Sequence, residues 1–293
     1  MSGLVCTKAR IRASLGPLRS AALLAAALAL AAGLPPQAKA QEQSALSGIQ
    51  QRGTLRVALY KNFAPFSDNG KGADVDLAEA LAAKLGVKMT ALWFDADDSM
   101  EDDLRNMVWK GHYLGYGPAD VMMHVPIDRE YMAKIDRVSF VAPYHRERYA
   151  IARNLEKLPA LDSFDPFEKL PLGVEGDTLA ATVMLSTESG RYRGSLRTFK
   201  TGQEVVAALK SGAVAAALAQ QGELEAGIKA DSRFGIDPAP NPLLQKRQWV
   251  LGLAVRAQSE DLAQALQKAV SELLADGTVK RIMERNGVQH RQP

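Results

Sequence analysis

Residues 53–84 constrain the fold most, because a short apolar strand there breaks into a loop that opens directly into a long amphipathic helix. The run Gly53-Thr54-Leu55-Arg56-Val57-Ala58-Leu59-Tyr60 alternates as a strand does, and residues 61–72 carry the Asn, Pro, Asp and Gly residues of a loop. Val75, Leu77, Ala78, Leu81, Ala82 and Leu85 then recur at helical spacing, with Asp74 expected to cap the start and Gly86 to end it. In open α/β sheets ligands bind beyond the carboxyl ends of the strands. The loop Asn62-Phe63-Ala64-Pro65-Phe66 is therefore the first candidate binding surface, with Phe63 and Phe66 as its contacts.

Residues 1–40 read as a secretory signal: a basic start with Lys8, Arg10, Arg12 and Arg19, an apolar run over 21–34, and Ala38-Lys39-Ala40 as a cleavage site. The mature chain is expected to be exported. Cys6 lies ahead of the apolar run, which argues against a lipoprotein anchor. With the leader go five basic residues, the fifth being Lys39, and no acidic one, so the formal charge moves from +3 to −2. A slightly acidic mature chain gives no support for nucleic-acid binding. The single cysteine also leaves, which removes disulfide and thiol chemistry. About 250 residues of mature chain are enough for two ordinary domains.

Residues 87–94 read as a second strand, and residues 95–103 as an acidic cluster that suits either a hard-cation site or the start of the helix after it. A Gly- and Tyr-rich loop over 111–118 leads to a buried strand over 119–125, whose end carries His124 to the ligand side. Only four histidines occur in the chain, with no metal-like set, and neither a metal, a cofactor nor a catalytic residue is expected. The second half restarts with the turn Val174-Glu175-Gly176-Asp177-Thr178 before a helix from Leu179, where free N–H groups and the Thr178 hydroxyl form a candidate anion site. A helix over 203–211, a small-residue strand over 213–219, a return strand over 248–256 and helices over 262–274 and 278–286 complete the pattern.

Several motifs, taken in order, resemble the family 3 periplasmic solute-binding proteins, which deliver amino acids and similar polar solutes to ABC importers. They are the aromatic-Pro-Phe loop at Phe63 to Phe66, Gly72-Ala73-Asp74-Val75-Asp76-Leu77-Ala78, Ser139-Phe140-Val141-Ala142-Pro143-Tyr144, and Asp276-Gly277-Thr278 near the end. The resemblance spans residues 54–288. It implies a type II periplasmic binding-protein fold: an α/β chain in two lobes, each a mostly parallel sheet flanked by helices, joined by two hinge crossings near Tyr144 and Lys246. Lobe 1 would hold residues 41–143 plus 247–293 and lobe 2 residues 144–246. It also implies that Arg129 clamps a ligand carboxylate, a role suited to the guanidinium fork, with Tyr144 packing on the solute. Amino-acid-binding members place an Asp where this chain has Gln220, and a neutral amide cannot supply that counter-charge.

The middle of the chain has a second resemblance. Arg105-Asn106, Ala119-Asp120-Val121, Val125-Pro126 and Pro143-Tyr144-His145-Arg146 fall in the order found in substrate-binding-like proteins associated with quinoprotein dehydrogenases, with Ala119 in place of a Cys. Three functions follow from these readings. The first is a monomeric solute receptor working with importer membrane subunits. The second is an accessory protein contacting a PQQ-dependent dehydrogenase or its cytochrome through Tyr113 and Tyr116. The third is a dehydratase on the same fold using Glu175 or His124 as an acid.

Overall fold

A computed structural model describes residues 44–246 and 248–293; the expected leader and Cys6 lie outside the described residues. Ser44 opens the first helix, α1 (Ala45–Arg52), by accepting the Ser47 N–H, and Gly53 closes it in the left-handed region. β1 (Thr54–Tyr60) follows, then α2 (Ala73–Lys84) and β2 (Lys88–Phe94). The helix start differs from the expectation. Gly72 occupies the cap position, and Asp74 lies inside the first turn with no exposed surface. The cause is the loop, which folds back so that Ala73 and Asp74 donate their N–H groups to the Pro65 and Phe66 carbonyls at 2.9 Å. That return path brings the backbone of Phe66 against Gly72 and turns the Asp74 side chain inward.

In the acidic segment Ser99 caps α3 (Met100–Leu104), which runs into one π-helical turn at Arg105–Trp109. Asp103 is buried there, accepting the Tyr60 hydroxyl at 2.7 Å and the Asp97 N–H at 2.8 Å, and burial pushes its carboxyl up to about 6. The acids thus serve a helix start, where they complement its dipole.

β3 (Val121–Ile127), the short α4 (Arg129–Met132) and β4 (Val138–Asn154) come next. The second half contains β5 (Leu172–Glu175), α5 (Leu179–Ser186), β6 (Leu196–Phe199), α6 (Gly202–Ser211), β7 (Ala216–Gln220), α7 (Gln221–Ile228), β8 (Phe234–Pro238) and α8 (Pro242–Lys246). β7 starts later than the small-residue run predicts. The Ala213 and Val214 N–H groups still bond the Ala208 carbonyl beyond the left-handed Gly212, so the chain leaves α6 only at residue 215. β9 (Gln248–Arg256), α9 (Glu260–Ala275) and α10 (Thr278–Arg285) return to the first half.

The strand order is β2-β1-β3-β9-β4-β7-β5-β6, with β8 also on β4. β1 pairs in parallel with β2 and β3, and β5 with β6 and β7; every pairing made by β9 or β4 is antiparallel. This is the mixed α/β sheet flanked by helices that the sequence implied. β4 is shared: His145 to Arg148 pair with β9, and Tyr149 to Arg153 pair with β7. Buried side chains form cores along each half, including Leu55, Leu59, Leu77, Leu253 and Leu266 in the first and Ile151, Phe167, Leu172, Met184 and Leu218 in the second. None of the described helices is long and apolar enough to cross a membrane.

Candidate functional site

The parallel strands of the two halves point their carboxyl ends at each other. This follows from Gly222, at the start of α7 after β7: a Cβ there would lie 2.9 Å from the Phe66 ring tip, 2.7 Å from Glu147 Oε2 and 3.3 Å from Val288. The loop after β1 therefore meets the helix start after β7, with the shared strand alongside.

On the first wall, Phe63, Phe66, His124 and Tyr144 come together around Asp74. Asp74 accepts the Tyr144 hydroxyl at 2.7 Å on one carboxylate oxygen and faces His124 Nδ1 at 2.8 Å on the other. Asp74, Tyr144 and Phe66 are fully buried, and His124 is 7% exposed. Burial first, then the Asp74 charge, holds the Tyr144 hydroxyl well above its ordinary range, so it remains a donor. The His124 ring meets Phe63 edge-on at 4.7 Å and Phe66 at 4.5 Å, and its Nε2 is buried without a hydrogen-bond partner.

The backbone around His124 explains its placement. The β3–β9 register shifts between Met122 and Val125, and His124 has φ +60°. Bulges re-aim side chains, and a left-handed non-glycine residue costs about 1–3 kcal/mol unless its surroundings hold it there. The Asp74 contact and the two aromatic rings supply that hold. Gly252 of β9 makes room, since a Cβ there would sit 2.6 Å from Ile127 and 2.8 Å from the Val141 carbonyl.

On the second wall, Thr178 caps α5: its hydroxyl oxygen accepts the Ala181 N–H at 3.2 Å and donates to the Glu175 carbonyl at 2.8 Å. The hydroxyl is thus committed to the turn, and Asp177 stays exposed. Gln220 ends β7 and gives its backbone N–H to Glu223, which is buried. Glu175 ends β5 with no hydrogen bond to its carboxyl among the described residues, and burial with the Glu204 charge pushes it up to about 7. Glu147, on β4, accepts the Gly222 N–H at 3.2 Å and the Arg148 N–H at 2.9 Å; burial still pushes its carboxyl up to about 7. Burial and the charges of Glu175 and Glu147 raise Glu223 as well.

These shifts fix a pH dependence. A carboxyl raised from 4.5 to about 7 holds its proton in the folded chain where the unfolded chain has lost it, so stability falls as pH rises through that window. His145 opposes this: burial lowers it from 6.5 to about 3, so its contribution grows with pH up to 6.5. Glu147→Gln should therefore flatten the dependence of unfolding free energy on pH by about 1 kcal/mol between about pH 6 and pH 8. Denaturant titrations of both proteins at three pH values check this, and parallel curves would refute it.

Arg129 is not gathered into the crevice. It opens α4 on an exposed turn, and no ion pair holds it among the described residues. Behind the crevice, the tail after α10 runs along the shared strand: the Arg146 N–H donates to the Arg291 carbonyl, and Arg291 pairs with Glu225 of α7. A groove of about 1500 Å³ lies between loop 64–72, α6, α7 and the tail, and none of the seven expected site residues lines it. Asp74, Glu147 and Glu223 are the residues the sequence reading missed. The acid's place between the apolar Ala73 and Val75 was the available signal for Asp74; nothing local marked the other two.

No family model matches the chain, and no curated protein matches it. Solved structures do. An ancestral cationic amino acid solute-binding protein superposes with TM-score 0.65 at 24% identity, covering 83% of this chain and 100% of its own. An amino acid ABC transporter substrate-binding protein from Streptococcus pneumoniae, bound to L-arginine, gives 0.63 at 21%, covering 85% of this chain and 100% of its own. An ancestral amino-acid-binding protein described as a precursor of cyclohexadienyl dehydratase gives 0.60 at 24%, covering 83% and 99%. At these identities the likeness shows the fold, that of type II periplasmic binding proteins.

Proposed function

We propose that this chain is a periplasmic solute receptor that closes two lobes, meeting within β4 between Arg148 and Tyr149 and not at Tyr144 as the resemblance implies, on a small polar, carboxylate-bearing solute and presents it to the membrane subunits of an ABC importer. The observation that carries this reading is the crevice itself. Two half-sheets share one strand and aim their carboxyl ends at each other, which is where such sheets hold ligands, and a strand that changes partners between Arg148 and Tyr149 is a natural hinge. The crevice has a half-buried aromatic at Phe63 and an unpaired carboxyl at Glu175, features of a binding wall for a solute with apolar and cationic parts. A cationic solute group beside Glu175 would favour the ionised carboxylate and so draw from it the counter-charge that Gln220 cannot supply, and the neighbours described as cationic amino acid and L-arginine binders agree with that chemistry. The receptor acts as a monomer, without cofactor and without catalysis.

A thermal-unfolding screen against amino acids, dicarboxylates, polyamines, and short alcohols with their oxidation products tests this. A solute at a hundred times its Kd should add about 2.7 kcal/mol and raise Tm by about 5–10 °C. A folded protein unmoved by the whole panel would count against the reading.

One observation favours a second role. Tyr113 is 88% exposed and Leu114 67% exposed on the loop where His112 stacks on Tyr116 at 4.3 Å. Exposed aromatics suit a protein partner, here a periplasmic PQQ-dependent alcohol dehydrogenase or its cytochrome. Full alcohol-dependent dye reduction in a deletion strain would remove that role. The raised Glu175 carboxyl also meets one requirement of a dehydratase acid; prephenate turnover by the purified protein, lost in Glu175→Gln, is the result that reading needs.

A further inference from the structure

Resting on the receptor reading, the geometry points to a different anion clamp from the arginine that the family resemblance implies. We infer that His124, oriented by Asp74 and Tyr144, receives the carboxylate of the solute through Nε2. Four observations converge on it. Arg129 sits on an exposed turn, and the Thr178 hydroxyl is already committed to the Ala181 N–H and the Glu175 carbonyl, so neither side chain expected to take an anion is poised to do so. His124 sits in the middle of β3 at a bulge, in a left-handed conformation that a β-strand histidine does not adopt without a cause. Its Nδ1 is fixed on Asp74, whose other oxygen is occupied by the Tyr144 hydroxyl, so the ring is locked in one orientation. Its Nε2 is the one polar atom of this wall's aromatic cluster left buried and unpartnered among the described residues.

The chemistry follows from that lock. A carboxylate on Nδ1 keeps the proton there, so a second proton on Nε2 makes an imidazolium whose free N–H points away from Asp74 and can donate to an oxyanion. A charge-assisted bond of this kind is stronger than one from a neutral donor. The present closure explains why Nε2 is enclosed: Phe66 covers His124, and Gly222 of the opposite half covers Phe66. Parting the halves at Gly222 would uncover Phe66, and a swing of that ring off His124 would then open Nε2 to the solute; closing again would seal the bound carboxylate from water. Asp74 is a positioning residue in this arrangement, acting on the solute only through His124.

Calorimetric titration of the purified protein with L-arginine, L-histidine and L-cysteine, each compared with its carboxamide, tests the inference. The wild-type protein should prefer an acid over its amide, and His124→Asn should cut that preference by about tenfold to a hundredfold, the worth of one charge-assisted hydrogen bond. Asn is chosen because it tolerates a positive φ. Asp74→Asn keeps an acceptor for Tyr144 while removing the charge beside the ring, and it should reduce the preference in the same direction by a smaller factor. A merely structural role for either residue would weaken acid and amide alike and leave their ratio unchanged, which would overturn the inference while leaving the receptor reading intact. Collapse of the ratio in Arg129→Gln but not in His124→Asn would return the clamp to the arginine. If no acid or amide binds, the receptor reading for amino acids fails and this inference fails with it.

Discussion

Gly72→Ala should cost the protein about 4 kcal/mol or more and lower its Tm by roughly 8–16 °C. Gly72 adopts φ +127° and ψ 171°, a region open in practice to glycine alone. A Cβ there would stand 2.2 Å from the Phe66 carbonyl oxygen, 2.5 Å from its carbon and 2.8 Å from the Pro65 oxygen, and all three are backbone atoms that cannot swing aside. Relief would require the loop to pull away from α2. The bonds from Ala73 and Asp74 to Pro65 and Phe66 would then break, unseating the fully buried Phe66 and loosening the crevice wall it covers. Thermal or urea unfolding of the variant measures this, and a loss under about 1 kcal/mol would mean that the loop does not fold back as described.

Asp74→Ala carries the second large effect, about 3–5 kcal/mol, by a different route. The substitution leaves the Tyr144 hydroxyl and His124 Nδ1 without their acceptor inside a site closed to water. Orphaning buried donors costs more than the bonds themselves contribute in net terms. It also releases the hold on a histidine at φ +60°, so the bulge in β3 should relax along with the side chain. Asp74→Asn keeps an acceptor for Tyr144 and should lose less. Urea denaturation of the three proteins ranks them, and equal stability of the alanine variant and the wild type would contradict the buried network.

The sequence made the architecture readable because the α/β signals are local. The strand at Thr54 to Tyr60, the helical spacing from Val75 to Leu85, and the Gly212 and Gly277 punctuation each depend on neighbours within a few residues. The candidate site was readable in part for the same reason: the ends of β1, β3, β5 and β7 could be located, and with them Phe63, Phe66, His124, Thr178 and Gln220. The remainder depends on long-range geometry. Asp74 looks like a cap in sequence because its neighbours are a glycine and an apolar helix; only the fold-back of residues 64–72 turns it toward Tyr144, seventy positions away. Glu147 lies within a strand and meets its N–H partner at Gly222 only after 75 positions of the second half. Arg129 rested on the family resemblance alone, and the chain closes a short surface turn there.

Native mass spectrometry tests the central claim most directly. The protein would be purified from expressing cells without denaturation, stripped by unfolding and refolding, and then offered the same amino acids and polar solutes. The account predicts a single small-molecule adduct per chain that is lost on stripping and regained with at least one member of the panel. A folded chain that carries no adduct at isolation and takes none up afterwards would contradict it.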